Sequence, residues 1–111
     1  MHLVWEDSRS GHPEVWTRRF DGASWTPEEC LTADDTPSAD PVVAATYSYS
    51  AVAWVEGSPG NDQIVARFFE AGAWGPSELV SSGSGAAVQP SVAGDQLGWP
   101  EDFFFAWSDD R

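Results

Sequence analysis

At 111 residues, 41% of them apolar, the chain can bury the core of one domain, which argues against disorder. A formal charge of −13, with five arginines and no lysine, argues against nucleic acid and anionic membrane surfaces as partners. No apolar run of about 18 residues could span a bilayer, and no signal peptide is visible, so a cytosolic chain and a trimmed piece of an exported parent both fit.

The predicted elements are all short strands. In chain order they are HLVWE (2–6), PEVWTRRF (13–20), WTPEECLT (25–32), PVVAAT (41–46), SAVAWVE (50–56), QIVARFF (63–69), WGPSELVS (74–81), PSVAGD (90–95) and FFFAWS (103–108). Each is rich in β-branched or aromatic residues, and turn compositions such as GSPGN, EAGA and SSGSGAA separate the later ones. Apolar residues nowhere recur with a sustained helical period, and Gly and Pro interrupt the chain too often for long helices.

Displaced by 49 residues, the chain matches itself: RRFDGASWTPEECLT (18–32) lies over RFFEAGAWGPSELVS (67–81). Ten identities fall at this one offset, among them Trp5 on Trp54, Arg18 on Arg67, Phe20 on Phe69 and Trp25 on Trp74. The units are taken as 3–51 and 52–104, with one strand of a third unit at 103–111. A full unit holds four strands. The chain therefore supplies the last three strands of one unit, all four of the next and the first two of a third, which is why WEDSR (5–9) near its start is echoed by WSDDR (107–111) at its end.

Runs such as AVAWV and IVARFF are apolar on both faces, so each small sheet is expected to lie between two others. Four-stranded antiparallel sheets stacked at this period predict an all-β fold of β-propeller blades. A β-sandwich of about nine strands is the alternative. Two units cannot close a ring of four or more blades. The expectation is therefore a partial propeller completed by oligomerisation, with a homotrimer of six blades favoured. One second strand is surplus at each junction, so a terminal segment should be displaced on assembly.

The phrases LVWEDSRSG, EVWTRRFDGASW and PEECLT resemble the BNR, or sialidase-like, family of propeller repeats. The resemblance covers nearly the whole chain and implies blades whose outer hairpin carries an Asp-box turn, a structural staple. DGASW (21–25) is a shortened form of that turn, and EAGAW (70–74) has lost its Asp. Lectin propellers with tryptophan-rich blades are a weaker likeness. Sialidases of the family clamp a carboxylate with an arginine triad and use a tyrosine with a glutamate partner. Here Tyr47 and Tyr49 have no counterpart in the other unit, and no catalytic residue is assigned.

The candidate ligand residues are Trp25 and Trp74, as aromatic shelves for a sugar face, with Arg18 and Arg67. The competing expectation for the two arginines is an ion pair with Glu29 and Glu78, which also repeat. Trp5, Trp54 and Trp107 are expected to pack between blades. Cys30 is the sole cysteine, so no internal disulfide forms, and neither His2 nor His12 makes a recognisable catalytic pair with it. The acids of EDSR, ADDTPSAD and SDDR lack a calcium-loop spacing, so no metal and no cofactor is assigned. Two functional readings stand: a non-catalytic, self-assembling module that binds carbohydrate, and an inactive fragment of a larger sialidase-like glycoside hydrolase.

Overall fold

The computed structural model describes residues 2–9, 11–32, 37–46, 49–57, 62–81, 87–95 and 102–109, and every regular element among them is a strand. The strands are β1 (His2–Asp7), β2 (Glu14–Arg19), β3 (Glu29–Cys30), β4 (Ser38–Ala45), β5 (Tyr49–Glu56), β6 (Gln63–Glu70), β7 (Ala73–Trp74), β8 (Glu78–Leu79), β9 (Ala87–Asp95) and β10 (Asp102–Asp109). They form three antiparallel sheets. The first is β1–β2–β3; the second is β4–β5–β6 with β7 and β8 both on β6; the third is β9–β10.

Strand alternation assigns the faces. In the second sheet, the cross-strand pairs Val52–Arg67 and Trp54–Val65 point one way, and Ala53–Ala66 and Val55–Ile64 point the other. Val52, Trp54 and Val65 pack with Val15, Leu31 and Val4 of the first sheet and its flank. Ala53, Val55, Ile64 and Ala66 pack with Val42, Phe68, Val80 and, from the third sheet, Phe105. The second sheet is thus buried on both faces, and Ala51, Val52, Ala53 and Trp54 of β5 are wholly inaccessible. Removing this much apolar surface from water is the main force holding the three layers together.

The 49-residue echo extends to hydrogen bonds. Val15 N donates to Thr32 Oγ1 at 2.9 Å, and Ile64 N donates to Ser81 Oγ at 2.9 Å. Leu31 N donates to Val15 O as Val80 N does to Ile64 O, both at 2.8 Å. Trp5 Nε1 donates to Asp7 Oδ2 at 3.2 Å, and Trp54 Nε1 to Glu56 Oε1 at 3.3 Å. Phe20 meets Trp25 edge-on at 5.5 Å, and Phe69 meets Trp74 at 5.2 Å. The two segments have the same local architecture despite their many differences in side chain.

Several boundaries differ from the sequence expectation. The segments 25–32 and 74–81 are not continuous strands. Each pairs beside Trp25 or Trp74, breaks, and pairs again at β3 or β8. Pro27 and Pro76 stand in the break, where a missing N–H cannot join the ladder. β4 starts at Ser38 rather than Pro41, with a register shift between Ala39 and Val42. Asp40 takes a positive φ of 53° in that bulge. β5 starts at Tyr49, one residue before the predicted start at Ser50. Tyr47 and the side chain of Trp107 lie outside the described residues.

Candidate functional site

Between the first and second sheets lies a cleft of about 580 Å³. The first sheet and its last loop contribute Arg18, Arg19 and Thr26 to Glu29, and the second contributes Arg67, Phe69 and Gly72 to Trp74. His2 also lines it. Three of the chain's five arginines thus border one hollow of a strongly acidic protein.

Arg18 and Arg67 are positioned alike. Arg18 Nε donates to Thr26 O at 3.1 Å, and Arg67 Nε donates to Gly75 O at 2.8 Å. Arg67 also reaches across the sheet boundary, where Nη1 donates to Leu31 O at 2.8 Å. Ion pairs with Glu29 and Glu78 do not form among the described residues, and these backbone carbonyls replace them. The loops that follow each hairpin turn a carbonyl toward the planar guanidinium, while the glutamates sit on exposed short strands. Arg19 lies over the Phe69 ring at 5.1 Å.

His2 wedges between the sheets. Its ring meets Phe69 at 4.7 Å and Trp74 at 5.3 Å, both edge-on. Its Nδ1 shares a hydrogen bond with the Ser50 hydroxyl at 3.0 Å, and its buried Nε2 has no partner among the described residues. Burial, with the nearby positive charge of Arg19, lowers the His2 pKa to about 4. The imidazole is therefore neutral at pH 7 and part of an aromatic wall.

Of the four residues singled out in the sequence, Arg18, Arg67 and Trp74 line the cleft and Trp25 does not. Trp25 is 41% exposed, packed on Phe20 with the Arg18 guanidinium 5.8 Å from its ring centroid. His2, Arg19 and Phe69 join the site without having been singled out. A signal for two of them exists in the repeat: His2 stands where the second unit has Ala51, and Arg19 where it has Phe68. The cleft is built where the first unit departs from the echo toward charge.

Near the opposite end of β2, Glu14 is almost wholly buried, with His12 Nε2 at 2.9 Å from its Oε1. The Cys30 thiol donates to Glu14 Oε2 at 3.5 Å. Burial, reinforced by the Glu14 carboxylate, pushes the Cys30 pKa up, opposite to what a nucleophilic thiolate needs. Among the described residues, no group of three or more His, Cys, Asp or Glu side chains is placed to hold a metal ion.

The DGASW turn is stapled by Asp21. Its Oδ1 accepts from Ala23 N and Ser24 N, both at 2.9 Å, and those bonds hold its carboxyl below the usual range. In the second unit, Glu70 stands at this place, and Ala71 and Gly72 both adopt positive φ, 55° and 84°. No family model matches the chain, and comparison with curated proteins and with solved structures returns no significant match.

Proposed function

We propose that the chain is a non-catalytic, self-assembling β-propeller module whose cleft between sheets binds carbohydrate. The observation that carries the assembly half is the three-layer stack. Among the described residues the second sheet, β4 to β8, is buried on both faces, while its neighbours have three strands and two. Copies of the chain complete the ring, with three protomers giving six blades. The resemblance of LVWEDSRSG and EVWTRRFDGASW to BNR repeats supports the blade reading.

Carbohydrate binding rests on the cleft. Trp74 and Phe69 offer apolar rings to a sugar face, and Arg19 and Arg67 offer donors to its oxygens, with Arg18 at the rim. The same cluster of arginines is the one observation favouring the second reading, a fragment of a sialidase-like glycosidase. A glycan-array screen run beside a fluorogenic sialoside assay separates the two. Bound glycan without turnover is the expected result, and measurable hydrolysis overturns the non-catalytic reading. Absence of any bound glycan removes the carbohydrate half and leaves assembly alone.

A further inference from the structure

The outward face of the first sheet repeats a face that is already an interface. The pairs Leu3–Arg18, Trp5–Trp16 and Asp7–Glu14 point away from the second sheet, because their neighbours Val4 and Val15 point toward it. At 49 residues' distance stand Val52–Arg67, Trp54–Val65 and Glu56–Gln63. That second set is the surface on which the first sheet itself is seated.

One surface is covered throughout, the other only toward its Glu14 end. Val52 and Trp54 are wholly buried, whereas their counterpart Leu3 is 51% exposed and Trp5 is half-buried. The Arg9 guanidinium lies 4.2 Å from the centroid of the Trp16 ring, and the buried Trp16 Nε1 has no hydrogen-bond partner among the described residues. Arg67 spends Nη1 on Leu31 O across the boundary, whereas among the described residues Arg18 makes only the local bond to Thr26 O. The counterpart of Leu31 is Val80, and among the described residues no donor reaches its carbonyl.

We infer that this outward face docks a second copy of the chain. The second copy presents the face of its second sheet that bears Ala53, Val55, Ile64 and Ala66, and Arg18 donates to its Val80 carbonyl. The inference rests on the self-assembly reading and deepens it by naming both surfaces. The template is the contact inside one chain, where the corresponding residues Val4, Glu6, Val15 and Thr17 receive the second sheet. The presented face is more apolar than that template, with Val55 for Glu6 and Ala66 for Thr17. The contact is head-to-tail, the kind that repetition closes into a ring when the rotation per copy divides a full turn. The third sheet already buries that face within its own chain, so docking requires β10 to yield its place to β1 of the other copy while β9 stays.

Two variants test this against the wild-type chain by native mass. Leu3→Glu changes a residue exposed in the protomer, so the fold should survive, as far-UV circular dichroism would show. Assembly should weaken at least about tenfold, because a carboxylate cannot be desolvated in that contact unpaired. In a Cys30→Ser background, Arg18→Cys with Val80→Cys should be joined by a short bismaleimide into covalent dimers and larger species. If Leu3→Glu keeps a folded wild-type multimer, or the bismaleimide links cysteines only within one chain, the docking face is wrong while self-assembly stands. If the wild-type chain is a protomer at every concentration, both fall. Should Leu3→Glu fail to fold, the cross-link decides alone.

Discussion

Trp5 and Trp54 occupy the same place in two copies of one local structure, yet one is half-buried and the other inaccessible. Each donates its indole N–H to an acid two residues on. What separates them is only whether another sheet lies on top. The comparison teaches that burial of this repeat comes from stacking, since a three-stranded sheet has no second layer of its own to cover its outward face. A single unit would leave the same tryptophan, arginine and aliphatic residues bare.

The sharpest way to break that comparison is truncation of both tryptophans. Trp54→Ala should cost about 3–5 kcal/mol of protomer stability, as for large core deletions. Trp5→Ala, measured by urea unfolding at low protein concentration, should cost less than half of that. Equal losses would mean that the outward face is already covered within the chain.

Next in size are Thr32→Val and Ser81→Ala. Each strips the acceptor from a buried backbone N–H, of Val15 or Ile64, and should cost about 1–3 kcal/mol. If the echo is a true structural equivalence, the two losses should agree within about 1 kcal/mol. A large inequality would confine the equivalence to sequence.

The His2 wedge distinguishes the units by pH. Its folded pKa of about 4 lies below the ordinary 6.5, so the unfolded chain takes up the proton first. Stability should therefore fall as pH drops through 6.5 and level off below about 4. His2→Gln should flatten that part of a pH–melting profile. Unchanged curvature would show that groups other than His2 set it. Asp7 is held at about 2 by its bonds from Arg9, so its contribution is present above the ordinary carboxylate range and fades only as pH falls toward 2.

The smallest effect is expected at the hairpins. Asp21→Ala should lower the melting temperature slightly by unstapling DGASW, whereas Glu70→Ala, in the hairpin without that Asp, should leave it almost unchanged. Hydrogen exchange at Ala23 and Ser24 would read the same difference locally.

Strand composition and the 49-residue echo were enough to predict an all-β chain and to place most strands, because two-sided apolar runs and Gly-Pro turns act locally. Strand ends were less legible. Pro27 and Pro76 advertise a break, but whether pairing resumes beyond it depends on where Leu31 and Val80 seat in the neighbouring sheet. The partners of Arg18 and Arg67 were not legible either. A glutamate at a repeated position looks like the natural acceptor, yet the turn after each hairpin brings a backbone carbonyl closer. The cleft had a visible but unread sign in His2 and Arg19, where charge or polarity replaces Ala and Phe. Trp25 was a reasonable aromatic shelf by sequence, but it pairs with Phe20 on the face of the first sheet turned away from the second, and so stands apart from the hollow.

The measurement that bears most directly on the stacked-unit account is the native mass of the unmodified chain across a dilution series. A particle three times the 12.0 kDa protomer, dissociating on dilution, is the expected result. A folded species of 12.0 kDa at every concentration, with Trp5 shielded from aqueous quenchers, would contradict it.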